Sequence, residues 1–222
     1  MGEISAFDDP LPGQLRIDAS GTPSLTITAP AGTRPGADLP VTVVLGDTPL
    51  PEPGAGSGSG SGEGVVVRVR YRRGFAGFLP LPGDPPGHTR AVADAAAALA
   101  WVQDNAEGYG GDPTNVTLVG AGEAAAVGLW LCRRDHYKGE FRRARLSQPV
   151  FARTPVARRR WLARAVLAAP LTRDRLDALA REHPARVERA YRRYVFYTRG
   201  EGFGPAPFDD AELAPLAEVE LR

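Results

Sequence analysis

The stretch from Gly111 to Gly128, reading GDPTNVTLVGAGEAAAVG, constrains the fold more than any other. Val116 to Val119 is β-branched or apolar throughout, then ends in glycines and passes directly into an alanine-rich segment. That order predicts a buried strand of a parallel sheet, a sharp turn and a helix. In such sheets ligands and chemistry gather at the turn that follows the strand. Two motifs fit the turn. Gly120-Ala121-Gly122-Glu123-Ala124 keeps the frame of the nucleophile elbow G-x-S-x-G, in which a strained turn lifts a serine hydroxyl above the sheet. Here Gly122 stands where the serine would. Gly120, Gly122 and Ala125 also satisfy the dinucleotide fingerprint G-x-G-x-x-G/A. A tight turn that serves backbone geometry alone is the plainer alternative to both.

The dinucleotide reading has a test. An acidic residue should follow by about 20 positions, at the end of the next strand, to hold a ribose. The next strand, near Ala144 to Ser147, ends in Ser147 and Gln148 instead. Nicotinamide or flavin binding therefore stays a minor alternative, and no cofactor or metal is expected.

Longer blocks flank the turn. Val65 to Gly74 (VVVRVRYRRG) with Gly77-Phe78-Leu79 resembles the "VVVTVNYRLGxxGFL" of the type-B carboxylesterases, a family of α/β-hydrolases. Asp94 followed by Leu99 to Asn105 (LAWVQDN) is similar to the family's "DQxxALxWVQDNI", and Tyr109 to Leu118 (YGGDPTNVTL) to "FGGDPxNVTLFG", which there leads into G-E-S-A-G. Gly139 to Ala144 (GEFRRA) resembles "GLFxRAI". The blocks run in the family's order. The resemblance implies an α/β fold of three layers, with a mostly parallel sheet flanked by helices, truncated on its C-terminal side.

Against that background the departures carry the functional argument. A serine esterase needs a nucleophile, a histidine base, an acid that orients it and backbone N–H groups for the oxyanion. Gly122 offers neither hydroxyl nor thiol. The family's H-G-G-G oxyanion loop follows an early core strand, and the matching strand, Val41 to Leu45, continues here as Gly46-Asp47-Thr48-Pro49. Pro49 has no N–H to donate, and the Asp47 carboxylate opposes developing negative charge. One lost oxyanion donor costs roughly 100- to 1,000-fold in rate, and a lost nucleophile about a million-fold. The expectation is a pseudo-esterase with a vacant nucleophile position at Gly122, a degenerate elbow at Gly120 and Glu123, and a degenerate oxyanion loop at Gly46, Asp47 and Thr48.

The other triad members are no better supported. In the family the catalytic histidine lies far downstream, beyond Arg222, and the histidines present, His88, His136 and His183, read as solvated surface residues. Glu201 in Thr198-Arg199-Gly200-Glu201-Gly202 resembles the acid of "TxRDEG". A rival alignment places Phe203 to Asp210 (FGPAPFDD) on the segment that precedes the acid, and on that alignment Glu201 has no assigned role. The enzyme alternative is residual carboxylic-ester hydrolysis through Ser147 or Cys132, neither of which the motif places at the elbow.

In chain order, Met1 to Asp9 is acidic and has no basic n-region before an apolar stretch, so it does not read as a secretory signal. No apolar run approaches the ~18 residues of a membrane helix. The lone Cys132 reads as a packed apolar residue. These features suggest the cytoplasm and no membrane. Leu15 to Ile17 and Leu25 to Ala29 read as edge strands, Phe75 to Gly87 as a proline-rich loop and Thr89 to Asn105 as a long helix. Helices are also expected at about Glu123 to Arg134, Pro155 to Ala168, Thr172 to Arg181 and Pro184 to Tyr194. Residues 1–149 should form the α/β-hydrolase-like core with a flexible Gly/Ser loop at 51–64, and residues 150–222 an Arg-rich helical extension on the same domain.

Between Arg133 and Arg199 there are 19 Lys and Arg against 6 Asp and Glu, but residues 1 to 132 carry 7 against 14, and the whole chain comes to +1. With no helix-turn-helix or zinc pattern, this block reads as a solvated helical face and not as a nucleic-acid surface. A sheet without the family's later strands should leave an edge unpaired unless a helix covers it or another subunit pairs with it, which predicts either modest stability or self-association.

Overall fold

The structure, a computed structural model, describes residues 2–5, 24–49, 64–82, 89–134, 139–152, 156–200, 202, 204 and 219–221. The strands are β1 (Gly2–Ser5), β2 (Ser24–Ala29), β3 (Leu39–Leu45), β4 (Val65–Arg70), β5 (Gly111–Ala121), β6 (Arg143–Ser147) and β7 (Val219–Leu221). They form one sheet in the order β1-β2-β4-β3-β5-β6-β7. The pairs from β4 through β3, β5 and β6 to β7 are parallel, and β1 and β2 are joined to them antiparallel.

The helices are α1 (Gly74–Phe78), α2 (Arg90–Asn105), α3 (Glu123–Arg134), α4 (Val156–Leu167), α5 (Arg173–Glu182) and α6 (Pro184–Tyr197). In α2, Ala91, Ala95, Ala98, Leu99 and Val102 recur on one face and are all buried, because alanine at those positions lets the helix approach the sheet closely. Thr89 caps it by accepting from the Val92 N–H at 3.4 Å. The Gln103 amide then ties its far end to the Pro113 and Glu140 carbonyls at 2.9 and 2.8 Å. Arg72 and Asp94 lock β4's exit onto the same helix through two guanidinium bonds of 2.8 and 2.7 Å, with the Arg72 N–H adding a third at 3.1 Å. Cys132 is fully buried in α3.

Several elements differ from the sequence reading. Leu25 to Ala29 is an interior strand, because β1, formed by the acidic start of the chain, pairs outside it. Alternation along β2 reports one buried face and says nothing of whether a neighbour pairs on each side. Within the stretch read as a proline-rich loop, Gly74–Phe78 is a helical turn, held because Phe75 packs edge-on against Tyr191 and Tyr194 of α6 at 5.4 and 5.6 Å. At the other side of the sheet β7 lies parallel to β6, so β6 is not the outer strand there. Leu15 to Ile17, residues 51–63 of the Gly/Ser tract, His88, His136 and Glu201 lie outside the described residues.

The connection from β4 through α2 to β5 passes over β3, which reverses the direction in which strands are added. The carboxyl ends of β3 and β5 flank that switch, the place where open α/β sheets put their ligands. Residues 46–49 leave β3 at this end and Gly122 leaves β5 beside them.

Candidate functional site

The elbow forms as the sequence predicts: β5 ends at Ala121, Gly122 turns with φ +60°, and α3 starts at Glu123. Gly120 is required by close packing, since a Cβ there would stand 2.8 Å from the Ala124 carbonyl oxygen. Gly122 is different. A Cβ at 122 would meet nothing within 4 Å, so the position has room for a side chain and only the left-handed backbone favours glycine. Both backbone groups of Gly122 are engaged: its N–H donates to the Ser147 carbonyl at 3.0 Å, and its carbonyl accepts from the Val150 N–H at 3.0 Å. The N–H that a pyrophosphate would need at this turn is therefore committed to the neighbouring strand.

The loop after β3 folds onto the elbow. Thr48 is buried, its hydroxyl donating to the Leu45 carbonyl at 2.6 Å and accepting from the Ala121 N–H at 3.1 Å. The Gly46 N–H donates to the Val69 carbonyl at 2.8 Å, and the Arg68 guanidinium donates to the Thr48 carbonyl at 3.0 Å. These contacts spend the loop's polar groups on holding β3, β4 and β5 together.

Over the elbow lies a charged cluster. Arg73 donates to the Glu123 carboxylate at 2.9 Å and to the Asp47 carboxylate at 2.9 Å, with the Tyr71 phenol close to Glu123. Glu123 is the sheltered member, its side chain 20% exposed against 53% for Arg73 and 78% for Asp47. Burial pushes the Glu123 carboxyl above the ordinary glutamate value, although Arg73 pulls the other way. Burial, with the nearby Glu123 charge second, also pushes the Tyr71 phenol up. Burial works against Arg73, but the Glu123 charge and hydrogen bond outweigh it and hold the guanidinium firmly protonated.

Of the residues singled out from the sequence, Gly46, Asp47, Thr48, Gly120, Gly122 and Glu123 come together here. Ser147 joins them, half-buried at the carboxyl end of β6, with its backbone against Gly122. Cys132 is nine residues further along α3 than Glu123, about 13 Å at 1.5 Å per residue, and is buried. His183 is exposed at the junction of α5 and α6. Tyr71 and Arg73 were not singled out. The signal was available, since Arg73 stands where the "NYRLG" block carries leucine and Glu123 where G-E-S-A-G carries alanine. Among the described residues no group of three His, Cys, Asp or Glu side chains could hold a metal ion.

A cleft of about 630 Å³ opens beside Glu123, walled by Val150, Phe151 and Ala152, by Tyr191 and Thr198 of the α6 region, and by Arg159 and Arg199. A second hollow of about 450 Å³ shares Glu123 and Tyr191 with it and runs past Arg73 and Phe75.

Residues 59–168 match the carboxylesterase family model. Over 80 residues the chain is 51% identical to acetylcholinesterase of Gallus gallus, a stretch that covers 35% of this chain and 10% of that protein. Among solved structures, a PNB esterase superposes with a TM-score of 0.62 at 27% identity, over 83% of this chain and 42% of its own. A carboxylesterase of Geobacillus stearothermophilus gives 0.62 and 27%, over 83% and 41%. The chain thus spans about two fifths of the length of these solved relatives.

Proposed function

We infer, for a chain that belongs to the carboxylesterase family and carries its α/β-hydrolase fold, that it acts as a binding relative of the esterases and does not hydrolyse esters. The observation that carries the reading is the charged cluster of Asp47, Arg73 and Glu123 above a turn that bears no side chain. A nucleophile is absent at 122, and Thr48 and Gly46 spend their polar groups on the sheet. The Glu123 carboxylate sits beside the place where negative charge would develop in an acyl transfer, and there it would oppose the oxyanion. A cytoplasmic setting suits a chain that has a single cysteine, Cys132, and keeps it buried.

A second reading keeps weak ester hydrolysis through Ser147, favoured by its position beside Gly122. Both are tested by hydrolysis of p-nitrophenyl acetate and butyrate together with intact-mass analysis after exposure to a fluorophosphonate. The native chain should stay at the buffer rate and gain no adduct. Gly122→Ser should also stay near it, within about tenfold, because among the described residues no histidine lines the hollows beside the elbow, and a serine hydroxyl without an adjacent base is a weak nucleophile. Turnover by the native chain that vanishes in Ser147→Ala, or a covalent adduct on any residue, would overturn the non-hydrolytic reading.

A further inference from the structure

Helices α4 and α6 carry an unusual outer face. Trp161, Phe196 and Tyr197 are 69%, 79% and 63% exposed, so three large aromatic side chains stand in water. They adjoin one another: Trp161 and Tyr197 border one hollow together with Arg199, and the Phe196 ring meets the Tyr197 ring edge-on at 5.7 Å. Arg164 shares a neighbouring hollow with Trp161. Along α6, Arg189, Arg193 and Tyr197 follow at intervals of four and are all exposed, which sets them in one row. The inward sides of the two helices are taken by Ala163, Leu167, Ala190 and Tyr194, all buried. Charge is concentrated on the same two helices. Together they hold eight arginines against one carboxylate, Glu188, which Arg192 engages at 3.1 Å, whereas α5, between them in the chain, balances three arginines with three carboxylates. Among the described residues no ion pair engages Arg164, Arg189, Arg193 or Arg199.

We propose that this face docks on an anionic lipid surface, Trp161, Phe196 and Tyr197 entering the boundary between headgroups and acyl chains while Arg164, Arg189, Arg193 and Arg199 meet lipid phosphates. Exposed aromatic rings beside cations suit a membrane interface, because the rings offer apolar area with a polar edge and the guanidinium fork pairs with phosphate. Eight arginines to one carboxylate decide for anionic over neutral lipid. Among the described residues no helix could span a bilayer, but docking of this kind needs a face and not a run of ~20 apolar residues. Run length alone suggests no membrane, and it cannot show that residues 161 and 197 meet. A single-stranded nucleic acid needs open ring faces for its bases, whereas Phe196 and Tyr197 are turned edge to face against each other. Lipid docking here is independent of what the elbow does.

The full chain is sedimented with vesicles of phosphatidylcholine containing about 30% phosphatidylserine and with vesicles of phosphatidylcholine alone, and tryptophan emission is followed in both. Binding should be about tenfold or more tighter to the anionic vesicles and should weaken as salt rises, with emission shifting to the blue as Trp161 leaves water. Trp161→Phe should keep the binding and lose the shift, since Trp101 is buried in the core. Arg189→Gln/Arg193→Gln should lose about tenfold or more, at roughly fivefold for each arginine near the surface. Phe196→Ser/Tyr197→Ser should lose about tenfold with circular dichroism unchanged. Equal affinity for the two vesicle compositions, or no sedimentation with the anionic ones at low salt, would overturn lipid docking without any variant being needed. Binding indifferent to the loss of the Phe196 and Tyr197 rings would overturn it too. Tighter binding of poly(U) that the same substitutions weaken would make the face a nucleic-acid surface instead, and a dimer in light scattering that they dissolve would make it a contact between copies.

Discussion

Arg72 and Arg73 are adjacent in sequence and do opposite work. Arg72 turns inward to Asp94, with side chains 22% and 7% exposed, and fastens β4 to α2. Arg73 turns outward to Asp47 and Glu123 and sits over the elbow, 53% exposed. One pair maintains the scaffold, and the other occupies the ground where chemistry would be done. The difference follows from solvent: a sheltered bidentate pair is costly to break because it strands a charge, whereas an exposed one is screened and worth little.

The largest expected effect breaks the inner pair. Asp94→Ala leaves the sheltered Arg72 guanidinium unpaired and should cost about 3–5 kcal/mol in chemical denaturation. A loss under about 1 kcal/mol would place Arg72 with the exposed class. A middle effect separates the two elbow glycines. Gly120→Ala drives a Cβ toward the Ala124 backbone and should cost about 1–3 kcal/mol, while Gly122→Ala meets open space and should cost about 1 kcal/mol for its left-handed backbone. Equal losses would mean that packing does not distinguish the positions.

The smallest effects belong to the outer cluster. Arg73→Ala should change stability by under about 1 kcal/mol and leave the fold intact by circular dichroism. The Glu123 carboxyl titrates above its unfolded value of 4.5. A raised carboxylate favours the folded state while protonated, so its contribution is full below pH 4.5 and fades as pH rises through the shifted value. Melting temperatures followed upward from pH 4 should show that decline in the native chain, and Glu123→Gln should remove it. An unaltered profile in Glu123→Gln would assign the decline to other groups.

The strand, turn and helix from Val116 to Arg134 were legible in the residues because local periodicity and the elbow's glycines act over a few positions. The same holds for the alanine face of α2 and for the glycine at 122. Legibility failed where partners are distant in sequence. β1 and α1 exist through what packs beside them, respectively β2 and the tyrosines of α6, and no periodicity within four or five residues announces that. Arg73, Tyr71 and Asp47 each look like surface residues until the sheet order brings β3, β4 and β5 to one edge.

The sequence by itself determined the family's strand–turn–helix, the missing hydroxyl at 122 and the unlike charges of the chain's two halves, because each is a matter of which atoms a residue owns. Only the tertiary structure decided that Asp47, Arg73 and Glu123 share one cluster, that Thr48 holds the elbow strand, and that Arg159 and Arg199 face one cleft. Those relations are distances between side chains up to about 76 residues apart, and such distances are fixed only when the sheet and its covering helices pack.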